Sequence, residues 1–447
     1  MTAYVEKIAQ LRAELSAHRG PAAPFGLAKP TSNLFRDRAR TARPRIDLKH
    51  FNRVVHVDPE AGVVEAEGMA TFADLVDATL AVGAMPCVVP QLKSITLGGA
   101  VAGVGIEATS FKHGLVHDTI VALEVLTGAG QIVVCTPDNE QRDLFYGFAN
   151  SYGTLGYALK VTQRTQRVRP YVAVEHFRYT DPAACFADVT RLAADSETEF
   201  LDGVVFGPDA LYLTRGSFVA AAPYTSDYTF EHIYYRSIRD RARDFLTVHD
   251  YLWRWDTDWF WCSRNVGAQH PLLRRLYGRD RLNSITYQKI MRWNSRWGVT
   301  RALARLAGAR SESVIQDVDI PLERAAEFLE FFHAEVGILP VWICPIRAPA
   351  ASARFALYPL APDTTYINFG FWDVVRAREP RPDGYINRKI ERKVADLGGV
   401  KSLYSDSYYP EEEFWAIFDR VAYTALKAKY DPAGTLGDLY DKCVRRR

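Results

Sequence analysis

The sequence predicts an α+β protein of more than one domain, and three observations predict it. Short strand-like runs at residues 54–57 and 63–66 are followed by an amphipathic helical stretch at 71–82, not by a regular βαβ alternation. A glycine-rich segment, residues 91–114, comes next and carries five glycines among small and β-branched residues. After Pro170 the composition turns aromatic and a second series of strands and helices begins. At 447 residues the chain exceeds one simple core.

Taken in order, residues 3–15 place Val5, Ile8, Leu11 and Leu15 on one helical face, and Gly20-Pro21 ends it. Residues 27–36, LAKPTSNLFR, are short and polar. Lys29, Thr31, Ser32 and Asn33 offer one cation with hydroxyl and amide donors, which suits a phosphate and equally a capping turn before Leu34. The two strands at 54–57 and 63–66 flank a turn, and Thr71 is the expected cap of a helix that Gly83 closes.

The glycine-rich segment holds the chemistry. Without side chains, successive N–H groups can approach a ligand closely and form an anion-binding concavity, with Thr96 and Ser110 adding hydroxyls for a pyrophosphate. Residues 103–108 also fit the G-x-G-x-x-A spacing of dinucleotide folds, with Glu124 near the ribose-binding distance. That pattern needs a strand before the glycines and a helix opening on them. Here Gly98 and Gly99 precede them, and residues 109–114 lack an apolar period of 3.6, so a Rossmann fold is disfavoured. Strands are expected at 119–126, 131–135 and 157–168, the last leaving a second glycine turn at Gly153-Thr154-Leu155-Gly156.

Beyond a boundary near residue 170, the pattern predicts strands at 172–177, 314–318, 341–344 and 365–371. Helices are expected at 182–194, 233–251, 301–306 and 322–336. Residues 403–415 hold three Tyr, Asp406 and three Glu ahead of a last helix, and the chain ends in a basic tail. Between Arg236 and Arg310 sixteen Lys/Arg oppose six Asp/Glu, and six of the nine tryptophans fall there. Such interleaving suits an anionic membrane surface or nucleic acid; a tryptophan-rich core beneath a solvated basic face is the other reading.

The 48% hydrophobic and 24% charged composition is that of a soluble globular protein. No run of eighteen apolar residues occurs, and the N-terminus lacks a signal-like apolar stretch. A cytoplasmic chain, at most peripheral on the inner face of the membrane, is expected. The six cysteines include no C-x-x-C pair and read as reduced, mostly buried thiols, with no metal site.

Pro90-Gln91 with Thr96-Leu97-Gly98-Gly99, His113-Gly114, Asp118-Thr119-Ile120-Val121, Gly128-Ala129-Gly130 and the turn from Asn150 to Gly156 resemble, in order and spacing, the FAD-binding domain of the vanillyl-alcohol-oxidase (PCMH) type flavoproteins. The resemblance implies a two-lobed FAD-binding domain over 1–170, a mixed α/β substrate (cap) domain over 171–400 that contains the basic Trp-rich region 236–310, and a segment 401–447 returning to the FAD domain. It implies non-covalent FAD held by Lys29, Thr31, Ser32, Asn33, Gln91, Thr96, Leu97, Gly98, Gly99, Gly103, Gly105, Ile106, Glu107, Ser110, His113, Gly114, Gly153, Thr154 and Gly156.

Within that family, residues 105–110, Asp143-Leu144-Phe145, Val314 to Asp317, Pro340 to Pro345, Leu403 to Asp406 and Glu413-Phe414-Trp415 resemble the FAD-dependent alkene reductases of the delta-24 sterol reductase branch. Two departures stand out: the sterol enzymes' N-terminal membrane anchor is not matched, and His113 replaces their tyrosine. Residues 29–36, 91–96, Ser110-Phe111 and 253–263 look like the bacterial methylene-fatty-acyl reductases of tuberculostearic-type acid synthesis. The resemblance implies NADPH as reductant, a membrane phospholipid substrate, a SAM-dependent lipid methyltransferase as a candidate partner, and no nucleic acid.

An isolated alkene has no carbonyl to stabilise a carbanion. Protonation of its less substituted carbon, with hydride delivered to the other from reduced flavin, is the expected order, and it requires a dry acid. Glu107, Asp317, Asp406 and Tyr408 are the candidates. Glu107 serves as well for bonding ribose or backbone amides, and Asp406 with Tyr408 for capping the following helix. His113 fits a flavin attachment, a proton shuttle or a backbone-ordering role. Residues 253–261 would line a lipid entrance or simply fill core. The rival activities are an alcohol oxidase of the same fold and a non-catalytic lipid- or nucleic-acid-binding protein.

Overall fold

The computed structural model describes residues 2–18, 25–29, 35–36, 44–297, 310–377 and 381–446. A short parallel pair, β1 (Gly26–Leu27) and β2 (Arg45–Ile46), opens the chain after the helix Thr2–His18. The first large sheet contains β3 (Val54–Asp58), β4 (Val63–Glu67), β5 (Ala84–Pro86), β6 (Ile120–Thr127), β7 (Ile132–Cys135) and β8 (Gly156–Arg167). Its order is β3-β4-β8-β6-β7, with β5 also on β8, and every pairing is antiparallel. The absence of parallel βαβ pairing within this sheet removes the Rossmann alternative.

The helix Phe72–Leu80 forms as its sequence dictates. Thr71 Oγ1 accepts from Asp74 N–H at 3.2 Å and Asp74 returns the bond to Thr71 N–H at 2.9 Å, a reciprocal cap. Phe72, Leu75 and Val76 face inward and are fully buried. Gly68 permits close packing beside it: a Cβ there would sit 2.0 Å from the Ala158 carbonyl oxygen.

The second sheet contains β9 (Tyr171–Tyr179), β10 (Phe200–Gly207), β11 (Ala210–Val219), β12 (Arg243–Thr247), β13 (Arg310–Pro321), β14 (Val341–Arg347), β15 (Thr365–Ala377) and β16 (Val400–Lys401). It is antiparallel throughout, in the order β12-β9-β11-β10-β14-β15-β13-β16. Helices Pro182–Ala194, Ala325–Glu335 and Tyr385–Asp396 cover one face, burying Phe186, Phe328, Phe332 and Ile390 against Leu213, Val318 and Phe369. Each such side chain contributes about 1.5–3 kcal/mol. The two-residue period of β13 then decides the rest: Val314, Val318 and Ile320 enter that core, while Ser313, Ile315 and Asp317 look the other way.

Residues 402–446 return across the first lobe. Ser405 bridges Phe35, Lys427 Nζ donates to the Thr154 carbonyl at 3.1 Å, and Lys442 Nζ to the Tyr152 carbonyl at 2.6 Å.

Several local expectations need correction. The single helix expected at 233–251 is Tyr234–Asp240, strand β12 and Val248–Leu252, because residues 243–247 complete the sheet edge against Tyr171–Glu175. Residues 301–306 lie outside the described residues. The glycine-rich segment is partly helical, at Leu97–Ala102 and Ser110–His113. Trp253, Trp255 and Trp261 are buried in core and Trp259 is buried at the edge of a cavity, whereas Trp293 is 58% exposed. Among the described residues, no helix is long and apolar enough to cross a membrane.

Candidate active site

A cavity of about 660 Å³, within the range of small-molecule and cofactor sites, lies between the first lobe, the uncovered face of the second sheet and the returning C-terminal segment. Its first-lobe wall is made of Gly68, Gly98, Gly99, Gly103, Gly105, Gly153 and Gly156 with Pro90, Gln91, Thr96 and Ile106. Glycine is required at 98, where a Cβ would lie 2.8 Å from the Gly68 carbonyl oxygen. At the second turn Asn150, Tyr152 and Gly153 all have positive φ, which brings bare backbone to the cavity surface.

Lys29 is the charge on this wall. Its ammonium donates to Thr96 Oγ1, the residue is half-buried, and desolvation pulls its pKa down to about 8, with no carboxylate among the described residues opposing the shift. A half-buried cation with no counter-charge among the described residues suits an anion. Gln91, 4% exposed, presents an Nε2 that has no partner among the described residues. Arg36 also lines the space, its guanidinium 4.6 Å from the Tyr152 ring centroid and its buried Nε without a partner among the described residues. The bare backbone, the cation and the donors without partners among the described residues fit a dinucleotide cofactor.

The opposite wall is aromatic. Trp259, Phe260, Trp342 and Trp372 line it, with Phe35 stacked on Trp259 at 5.7 Å and Phe260 packed on Trp372 at 4.4 Å. Trp259 and Phe260 both hold positive φ, at 44° and 59°, a conformation that costs side-chain-bearing residues and that the surrounding packing must enforce.

Two acids stand on this wall: Asp373 pairs with Arg264, and Asp317 has no ionic partner among the described residues. Burial pushes its carboxyl up to about 7, opposed by a hydrogen bond from Tyr404. The Tyr404 oxygen accepts from Trp372 Nε1 at 2.8 Å, leaving the phenol proton for Asp317. Asp317 Oδ1 has no hydrogen-bond partner among the described residues. Gly370 lies opposite in the β13–β15 register, and a Cβ there would come within 2.6 Å of that oxygen, so the glycine makes room for the carboxyl.

The sequence-derived residues divide by position. Lys29, Gln91, Thr96, Gly98, Gly99, Gly103, Gly105, Ile106, Gly153, Gly156 and Asp317 line the cavity together. Thr31, Ser32 and Asn33 lie outside the described residues. Leu97, Glu107, Ser110, His113, Gly114 and Thr154 sit behind the wall. Glu107 is pushed up to about 7 by burial, yet it pairs with Arg254 at 3.2 Å, and Arg254 also holds Asp202 at 2.8 Å. Ser110 Oγ accepts from Glu107 N–H, Thr154 Oγ1 donates to the Ser151 carbonyl, and His113 Nε2 meets Gln166 at 2.9 Å. Asp406 pairs with Arg446 at 3.4 Å, and Tyr408 lies under the same guanidinium; Arg446, not they, reaches the cavity. Sequence reasoning missed Tyr404, Arg36, Tyr152 and Trp372 as site residues. Tyr404 stood inside a quoted motif, and its spacing from Asp317 carries no local signal.

Residues 2–136 match the FAD binding domain family. Over 406 residues the chain is 25% identical to Delta(24)-sterol reductase of Homo sapiens, covering 88% of this chain and 76% of that protein. The corresponding protein of Pisum sativum is 24% identical over 464 residues, covering 92% and 78%. Cytokinin dehydrogenase 7 of Oryza sativa subsp. japonica is 28% identical over 149 residues, covering 32% of this chain and 28% of that protein. With the fold and the cavity in view, the chain is an FAD-dependent oxidoreductase of α+β architecture whose cofactor domain is of the FAD-binding type.

Proposed function

We propose that the protein saturates an isolated C=C bond of a lipid, a methylene-branched acyl chain of a phospholipid, with NADPH as the source of reducing equivalents. The observation that supports it is Asp317: an acid held near neutrality, dry, on an aromatic wall that faces the Lys29 and glycine wall across one cavity. Bound FAD, once reduced, supplies hydride. Lys29, Thr96 and the bare backbone at 98–105 would hold its pyrophosphate, and Gln91 would offer a donor to the ring system.

Asp317 keeps its proton on the carboxyl and gives it to the less substituted alkene carbon, so that positive charge grows at the substituted one. Tyr404 orients the carboxyl and stabilises the carboxylate that remains. The indole and phenyl walls exclude water, which would otherwise capture the cation. Such walls accept an acyl chain by burial of its methylenes at about 0.8 kcal/mol each. A methylene branch is the product of methyl transfer to an unsaturated chain, which places a SAM-dependent lipid methyltransferase upstream, at a membrane.

A second reading, reduction of a sterol side-chain alkene, draws on the likeness to Delta(24)-sterol reductases over most of the chain. Anaerobic incubation of the FAD-loaded protein with NADPH and either lipid separates them. The proposal expects the methylene-branched phospholipid to gain one H₂ for each NADPH consumed. Sterol reduction alone would favour the second reading, and alcohol oxidation under air without NADPH would defeat both.

A further inference from the structure

We infer that the two helices Pro271–Tyr277 and Ser284–Trp297 form a docking surface for an anionic lipid bilayer. Among the described residues, all exposed Leu, Ile and Trp side chains fall in this one stretch: Leu272, Leu273, Leu276, Ile285 and Trp293, at 65%, 42%, 76%, 41% and 58% exposure. Elsewhere the exposed large apolar residues are valines and one tyrosine.

The positions follow helical spacing. Leu272 and Leu276 are one turn apart, and Ile285, Lys289 and Trp293 succeed one another at four-residue intervals on the outward face of the second helix. Inward-facing residues tie both helices to one segment. Arg274 pairs with Asp258 at 2.8 Å and Tyr277 donates to the Val266 carbonyl at 3.2 Å. Ser284 donates to Asp256 at 2.6 Å and Tyr287 to the Thr257 carbonyl at 2.8 Å. The Tyr277 and Tyr287 rings also meet, at 6.4 Å. Both helices are thus seated through their inner faces on residues 256–266, and the exposed side chains lie away from those contacts.

Charge selects the occupant. Residues 271–297 contain seven Lys/Arg and a single acid, Asp280. Arg275, Arg281 and Lys289 are exposed in the same stretch, and Arg279, also exposed, pairs with Asp227 at 2.6 Å. Leucines and a tryptophan rimmed by cations match the headgroup region of an anionic bilayer, where apolar side chains enter the acyl boundary and each cation meets phosphate. Two copies of so basic a face would repel each other.

The surface also adjoins the cavity. Cys262 and Asn265, in the turn Cys262–Val266 between the aromatic wall and the first helix, line it. A bilayer against these helices therefore lies beside the chamber in which the lipid reading places the substrate. The inference extends that reading, but it is tested without turnover, so either can fail alone.

The FAD-loaded full chain is sedimented with vesicles of phosphatidylcholine and with vesicles of phosphatidylcholine plus phosphatidylglycerol. Binding to the anionic vesicles is expected, with little to the neutral ones. Arg275→Glu with Lys289→Glu is expected to lower the partition by more than about tenfold, since each cation near an anionic surface is worth about fivefold. Leu272→Ser, Leu276→Ser and Trp293→Ser together are expected to do the same, with unchanged flavin content and an unchanged melting temperature. Wild-type protein that ignores anionic vesicles, or variants that bind as wild type does, would overturn the inference. So would a wild-type dimer that the serine variant converts to monomer, which would make the face an interface between copies.

Discussion

Replacing Asp317 with asparagine separates the acid's chemistry from its shape. Burial raises the carboxyl from 3.8 to about 7, which corresponds to at most about 4 kcal/mol. Because the folded-state value is the higher one, the folded protein keeps a proton that the unfolded chain releases between pH 3.8 and about 7. Stability from this group is therefore fully present at acid pH, falls as pH rises through that window, and is lost above it. Asp317→Asn removes the penalty, so its urea midpoint should exceed that of the wild type at alkaline pH and converge with it at acid pH. Turnover should move the other way. Wild-type rates should be level below about pH 7 and fall tenfold per unit above it, and the asparagine variant should lose about 10²–10⁴ in rate at every pH while still binding FAD. A variant that turns over at the wild-type rate, with the same alkaline limb, would refute the assignment.

Lys29→Gln should weaken FAD binding by about 10- to 100-fold, the worth of one charge-assisted hydrogen bond. In the wild type FAD affinity should decline as pH rises through about 8, because the lysine must be protonated to meet phosphate; fluorescence titration reads both. Gly98→Ala forces a Cβ to 2.8 Å from the Gly68 carbonyl oxygen and should cost about 1–3 kcal/mol, seen as a lowered melting temperature and a colourless preparation. Arg254→Met strands Glu107 and Asp202 without their shared cation and should destabilise the fold by about 3–5 kcal/mol in denaturant titration, most at alkaline pH.

Much of the cavity's glycine wall was legible because its signals are local. The glycines at 98–105 and 153–156 must lack side chains for steric reasons that composition exposes, and Thr71 announces its helix through Asp74 three residues on. The aromatic wall was hidden. Whether Trp259 lines a cavity or fills core depends on the positive φ values at 259 and 260 and on Phe35, more than two hundred residues earlier. Glu107 illustrates the same limit. It stands in the glycine-rich segment, but its side chain turns away to Arg254, a partner 147 residues distant that no spacing rule identifies. Asp317 was visible as a candidate, whereas Tyr404 and Gly370, which hold it and make room for it, come from other strands and segments. The strand at 243–247 was read as helix because its edge pairing, not its own pattern, decides its state.

The most direct measurement is the flavin spectrum under anaerobic conditions. Purified protein should be yellow, NADPH should bleach it, and a methylene-branched phospholipid should restore the colour in wild type but only slowly in Asp317→Asn. A wild-type protein whose bleached flavin regains colour with oxygen and with no alkene-bearing lipid would contradict the account.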